Sequence, residues 1–169
     1  KKAKKFTLKL RKPYWVKGNS EIKINGMPIT GYSLIDGYIN INRKWRTNDK
    51  IEYTMPMNLH TMPMHDNPNR IAILYGPVVL AGDLGTNLPD PVYGVPVLLT
   101  ADKNPSHWLT PLKDQALSIQ RKNIGQPFNA RLVPFYKTYK EHYTVYWDFF
   151  TPEEWQKKKD DYEAEKRRL

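Results

Sequence analysis

The segment Met55-Pro56-Met57-Asn58-Leu59-His60-Thr61-Met62-Pro63-Met64-His65 gathers four thioethers and two imidazoles within eleven residues. Sulfur and nitrogen donors at that density suit a soft ion such as Cu(I). A plainer reading begins from period two. Tyr53, Met55, Met57 and Leu59 share one face of an extended strand, where methionine fills a core. Pro56 and Pro63 then mark a strand edge or end. The strand pattern favours packing, so no metal or other cofactor is expected.

Carboxylates are the next chemical candidates. Cleavage of a glycosidic bond by the usual route needs two carboxyl groups facing each other across a pocket, one with a raised pKa. Glu153-Glu154 and Asp160-Asp161 are consecutive on a charged helical stretch, so each pair splays apart. Asp36, Asp49, Asp66, Asp90 and Asp102 fall at turns, where aspartate bonds its own backbone. Asp83 and Asp148 follow apolar strands and are the two acids best placed for chemistry. Ser20, Ser33, Ser106 and Ser118 sit in no Gly-x-Ser-x-Gly context. Gly82-Asp83-Leu84-Gly85 lacks the length and the lysine of a phosphate-binding loop. No catalytic residue is therefore assigned.

Exposed aromatic rings stack on sugars, and Trp15, Trp45 and Trp108 are the tryptophans to weigh. Trp45 ends an alternating strand and Trp15 follows Pro13-Tyr14 at a strand exit, so packing is expected for both. Trp108 lies in a proline-rich stretch and is the candidate substrate-binding residue, as a sugar platform or as a packing anchor.

The elements that must position these residues are mostly strands. Phe6, Leu8 and Leu10 alternate with polar neighbours, as do Ile22 and Ile24. Asn25-Gly26 supplies a tight hairpin turn. Tyr38, Ile39 and Ile41 lead into Arg43-Lys44-Trp45. Asn48-Asp49 makes another turn before residues 50–55. Residues 70–75 and 78–82 are almost continuously apolar, which predicts a central strand buried on both faces.

Prolines 89, 91, 96, 105 and 111 turn residues 83–113 into an excursion over the sheet, with one short strand at 95–99. Strands resume at 116–121, 132–139 and 142–147, where Tyr143, Val145 and Trp147 are expected to face the core and Thr144 and Tyr146 to face outward. Thr151-Pro152-Glu153-Glu154 then opens a helix with a capping box. Its Trp155, Tyr162 and Leu169 form a narrow aromatic stripe. The expected fold is all-β: an antiparallel, jelly-roll-like β-sandwich over residues 1–150, with the proline-rich excursion, followed by a charged C-terminal helix over 151–169.

The chain has 169 residues, 40% of them hydrophobic, enough for a packed core. It has no cysteine, which excludes disulfides and thiolate chemistry. That sets no compartment, because exported proteins also fold without disulfides. No apolar run approaches the roughly 18–20 residues that cross a bilayer as a helix, and no membrane partner is expected. The net charge is +10. Much of the excess sits at Lys1, Lys2, Lys4, Lys5, Lys9, Arg11 and Lys12, read as an end that is solvated or faces another part of the parent rather than a basic stripe on a folded face. No nucleic-acid partner is expected on that ground. The chain opens without methionine and stops at Leu169 inside a helical pattern, so both ends are expected to be cuts in a longer protein.

Taken in order, these motifs resemble a known family. They are Leu10-Arg11-Lys12-Pro13-Tyr14-Trp15, Ile24-Asn25-Gly26, Tyr38-Ile39-Asn40-Ile41-Asn42-Arg43-Lys44-Trp45 with Asp49, Met55-Pro56-Met57, and Tyr75-Gly76-Pro77-Val78-Val79-Leu80-Ala81-Gly82. Together they resemble the C-terminal region of the β-L-arabinofuranosidase-like glycoside hydrolases, family 127 and its relatives. The resemblance is clearest over residues 6–82 and continues through Pro134-Phe135-Tyr136 and Tyr143–Trp147. It departs at Asn48, where the family tends to have glycine; asparagine also tolerates positive φ.

In that family an (α/α)6 barrel carries catalysis and its zinc ligands, and β-sandwich domains follow it. The resemblance therefore implies a non-catalytic accessory domain of a glycoside hydrolase, whose partners are the catalytic barrel of the parent chain or a second protomer. The alternative is a carbohydrate-binding module with its own sugar site on Trp108 or tyrosines.

Overall fold

The computed structural model describes residues 2–18, 20–86, 96–111, 117–119, 124–126 and 128–168. The fold is mostly β with one C-terminal helix, and it divides into two compact units, Lys1–Asn58 and Leu59–Leu169.

The first unit contains β1 (Lys4–Arg11), β2 (Glu21–Ile24), β3 (Met27–Pro28), β4 (Ser33–Ile35), β5 (Tyr38–Trp45) and β6 (Ile51–Thr54). They form two antiparallel sheets, in the orders β1-β5-β4 and β3-β2-β6. Alternation does what the sequence predicts. Ile39, Ile41 and Trp45 from the first sheet and Ile22 and Ile24 from the second form one buried cluster, flanked by Leu8, Leu10, Ile29, Ile51 and Tyr53. Asn25-Gly26 and Asp36-Gly37 each place two consecutive residues at positive φ, the requirement of a two-residue hairpin whose turn matches strand twist. Asn48 adopts φ +69°, as its tolerance for that region predicts.

Two of these turns are tied together. Asp49 accepts hydrogen bonds from the Arg46 backbone N–H (2.9 Å) and from Asn25 Nδ2 (2.9 Å). Asn25 Oδ1 in turn accepts from the Lys50 backbone N–H (2.8 Å). The Arg46 amide first, then the Asn25 amide, then the nearby Arg43 charge hold the Asp49 carboxyl below its ordinary pKa. A lowered folded-state pKa gives stability that is present above the unfolded value, about 4, and is lost as pH falls through the folded value. Asp49→Asn should therefore melt earlier than the parent sequence at pH 7, with the gap closing toward pH 2. A gap in melting temperature that does not change between those pH values would remove the carboxylate from the explanation.

The second unit contains β7 (Leu59–Pro63), β8 (Arg70–Tyr75), β9 (Val78–Asp83), β10 (Val97–Leu99), β11 (Leu109–Pro111), β12 (Leu117–Ile119), β13 (Gly125–Gln126), β14 (Arg131–Pro134), β15 (Tyr143–Thr144), β16 (Tyr146–Phe150) and α1 (Pro152–Lys166). Among the described residues these strands make one ten-stranded sheet in the order β11-β12-β14-β9-β8-β16-β10-β13, with β15 beside β9 and β7 beside β8. The apolar run of residues 70–82 is its centre, with Ile71, Ile73, Leu74, Leu80 and Ala81 buried. One pairing departs from the antiparallel expectation. β10 runs parallel to β16, with Leu98 opposite Phe149 and Leu99 opposite Phe150.

The predicted alternation at 143–147 is also corrected. Thr144 and Trp147 are buried, whereas Tyr143 and Tyr146 are exposed. The chain pairs with β9 up to Thr144 and with β8 from Tyr146, and Val145 is the extra residue at the step. One unpaired residue shifts the phase of every later side chain. Thr144 Oγ1 donates to the Tyr146 carbonyl across it (2.8 Å). The expected strand over 132–139 ends at Pro134, and Phe135–Lys137 form a 3₁₀ turn instead. The expected strands at 95–99 and 116–121 are found at Val97–Leu99 and Leu117–Ile119. Residues 87–95 and 112–113 of the proline-rich excursion lie outside the described residues, as do residues 116 and 120–121 of the expected strand and Leu169.

The helix starts as its sequence dictates. Thr151 Oγ1 accepts from the Glu154 N–H (3.2 Å), and Glu154 Oε2 accepts from the Thr151 N–H (2.8 Å). Trp155 is buried against Phe150 with ring centroids 5.9 Å apart, and Tyr162 meets Trp155 edge-on at 6.4 Å.

Candidate functional site

Trp108 leaves a short 3₁₀ turn, Pro105–His107, that Asn104 caps by accepting from the Ser106 N–H (3.1 Å). Its indole is 1% exposed, donates from Nε1 to the Asp102 carbonyl (3.0 Å), and meets Phe149 edge-on at 6.4 Å. Stacking on a sugar requires an uncovered ring face. The bonds of Trp108 are those of the packing anchor, the second of the two roles its sequence position allows.

Beside it lies an Asp–His pair of the kind that orients a general base. His107 Nδ1 is 2.8 Å from Asp102 Oδ2, and His107 Nε2 is 3.0 Å from Asn104 Nδ2. Asn104 Oδ1 already accepts the Ser106 amide, so Nδ2 is the atom turned to the ring and it must donate. Nε2 is then the acceptor and Nδ1 carries the hydrogen to Asp102. The nitrogen that would take a substrate proton is thus bonded to an amide, and the pair shapes a loop.

The two acids singled out from the sequence are committed in the same way. Asp83 Oδ1 accepts from the Gly85 N–H (2.9 Å). Asp148 holds Arg70 through two parallel bonds of 2.7 and 2.8 Å, and this pairing keeps the guanidinium pKa above its ordinary value. Asp148 also borders a shallow hollow of about 230 Å³ with Asn67, Asn69, Phe149, Phe150 and Glu154. Its other carboxylate, Glu154, is the capping-box residue, so both acids of the hollow are engaged in structure. Lys103 Nζ donates to Asn69 Oδ1 (3.1 Å).

The methionine-rich segment is placed differently from the core-packing reading. β6 ends at Thr54, residues 55–58 belong to no strand, and Met55, Met57 and Met62 are each more than a third exposed. They do not fill a core. Among the described residues no three histidine, aspartate or glutamate side chains come together as a metal would need. Trp45 packs as expected, buried beneath Phe6, its Nε1 donating to the Phe6 carbonyl (3.1 Å). Trp15 is half-buried.

Two surfaces escaped the sequence reading. In the second unit, the turn after β14 leaves Phe135, Tyr136, Tyr139 and Tyr143 exposed, with Phe135 and Tyr143 in edge contact at 5.4 Å. The signal was the density of aromatic residues between Pro134 and Tyr146, masked there by the assumption of regular alternation. In the first unit, Lys4–Arg11 is strand β1 of a sheet, so its cations stand on a folded face. The premise that they form a free solvated end is corrected by that pairing.

Comparison with known proteins agrees with this architecture. Residues 1–57 match the family model described as the β-L-arabinofuranosidase GH127 middle domain. A GH127 β-L-arabinofuranosidase from Geobacillus stearothermophilus T6 superimposes with a TM-score of 0.57 at 23% identity, over 88% of this chain and 27% of that one. A GH127 β-arabinofuranosidase gives 0.56 at 20% identity, over 88% and 28%. A third structure, a glycoside hydrolase, gives 0.52 at 20%, again over 88% and 28%. No curated protein matches the chain. The chain spans about a quarter of the length of these solved structures, and its likeness to them is one of fold, with sequence similarity to the GH127 middle domain over its first unit.

Proposed function

We propose that this chain is a non-catalytic accessory β-sandwich domain of a glycoside hydrolase, one that buttresses a catalytic barrel by packing. The observation that carries the proposal is the match of residues 1–57 to the GH127 middle domain. The geometry is consistent with it. Asp49, Asp83, Asp102, Asp148, Glu154 and His107 each hold a turn, a cap or an ion pair. Two sheets of the first unit share one buried cluster, which supports the sandwich reading there. Leu34 on edge strand β4, Met27 and Tyr14 are exposed apolar side chains suited to burial against the barrel or a second protomer.

The test is an assay of the purified chain on aryl β-L-arabinofuranosides and a panel of neutral plant glycans. Hydrolysis should stay at the uncatalysed rate. Turnover that survives repurification would sink the accessory reading. The carbohydrate-binding alternative is favoured specifically by the exposed Tyr136 and Tyr139. Retardation in native gels by a neutral glycan, abolished by Tyr136→Ala with Tyr139→Ala in a folded chain, would replace the packing role with binding.

A further inference from the structure

The register of β1 on β5 places Lys5 directly opposite Lys44, Thr7 opposite Asn42, Lys9 opposite Asn40 and Arg11 opposite Tyr38. β4 adds Ser33 opposite Asn40 and Ile35 opposite Tyr38. Directly paired residues point to the same side of a sheet. The opposite parity of β5, Ile39, Ile41 and Trp45, is buried, so these residues all stand on the outer face. That face carries Lys5, Lys9, Arg11 and Lys44 and no acid. All four cations are exposed, and among the described residues none makes an ion pair.

This arrangement works against folding. Two lysines directly opposed across a ladder have Cβ atoms about 5 Å apart and destabilise the pair, and a glutamate at either position would remove the repulsion. The first unit shows the relieved version elsewhere, where Lys23 of β2 stands directly opposite Glu52 of β6. Between the cations stand groups that bond hydroxyls: Thr7, Ser33, Asn40 and Asn42. At one end, Tyr38 presents an exposed ring beside Arg11. Lys5 to Arg11 spans about 20 Å of strand.

We propose that this face binds an anionic polysaccharide, a glycan chain carrying carboxylates. The lysines and Arg11 meet the carboxylates, the amides and hydroxyls meet ring hydroxyls, and Tyr38 stacks on a sugar face. A nucleic acid would use the cations, but the neutral hydroxyl-bonding groups would be idle, and single strands want a series of stacking rings where this face has one. The inference goes beyond the accessory role and rests on charge placement in the first unit alone, so a failed hydrolysis or neutral-glycan assay leaves it standing.

The probe is unesterified polygalacturonate, with its methyl-esterified form and duplex DNA alongside, titrated into the full 169-residue chain. Polygalacturonate should bind in 50 mM salt and at least tenfold more weakly in 300 mM, and the esterified form should bind at least tenfold more weakly at either salt. Lys9→Gln/Arg11→Gln/Lys44→Gln should lose at least tenfold in affinity, whereas Lys157→Gln/Lys158→Gln/Lys159→Gln, which removes the same charge from α1, should change it less than twofold. Lys44→Gln alone should keep or raise the melting temperature, because it relieves the lysine pair, while weakening binding. Equal losses in the two triple variants, indifference to esterification, or tighter binding of DNA than of polygalacturonate would each overturn the proposal.

Discussion

Trp108→Ala is expected to lower stability by about 3–5 kcal/mol, the usual cost of emptying a tryptophan site in a core. Trp108 is buried among Leu98, Leu109 and Phe149 in the cluster of the second unit. Alanine leaves a cavity that the short flanking elements cannot collapse into. It also leaves the Asp102 carbonyl without its indole donor, which adds the penalty of an unmade bond. For a chain of this size the melting temperature should fall by roughly 2–4 °C per kcal/mol. Trp108→Phe should recover part of the packing and none of the hydrogen bond. Calorimetry settles it, and sugar binding by the same variants gives the contrast. If Trp108→Ala melted like the parent chain but lost affinity for a glycan, the ring would be a ligand platform and the packing account would be wrong.

Gly82→Ala should cost about 3 kcal/mol, the upper part of the range for overpacking. A Cβ at position 82 would lie 2.4 Å from Trp147 Cζ2 and 2.6 Å from Cη2, with Thr144 Cγ2 at 3.4 Å. The φ of Gly82 is ordinary, so the constraint is space, not backbone strain. Trp147 is fully buried in the sheet centre and has no room to swing away. The account makes a sharper prediction through a second change. Trp147→Phe removes the outer indole atoms that the new methyl would strike. Gly82→Ala should therefore be much less damaging in a Trp147→Phe background, with a coupling of about 1–3 kcal/mol between two contacting residues. Simple additivity of the two losses in a denaturation cycle would show that the collision is not the cause.

Much of the first unit was legible in the residues themselves. Its strands are short, half-buried and regular, so period-two alternation located them and Asn25-Gly26 fixed a turn with no help from distant contacts. The capping box at Thr151 was legible for the same reason, since all its partners lie within three residues. The second unit was harder. At Val145 the chain passes from pairing with β9 to pairing with β8, and the faces of Tyr143 and Thr144 are the reverse of those alternation predicts; such a step follows from the demands of two neighbouring strands rather than from local sequence. The methionine segment misled because a pattern continuing past Thr54 looked like one strand, while the chain ends β6 there and passes to the second unit after Asn58.

By itself, then, the sequence determined the β character, the hairpin turns, the helix start and the absence of cysteine chemistry, because these depend on backbone preferences and side-chain types within a few residues. Tertiary structure decided the rest. It set which tryptophan is covered, which acids are bound to turns and caps, that β10 runs parallel to β16, and that Lys5, Lys9 and Arg11 share one face of a sheet with Lys44. Those outcomes are settled by pairings between residues far apart in the chain. Lys5 meets Lys44 only when β1 is laid on β5, and no window along the sequence contains both.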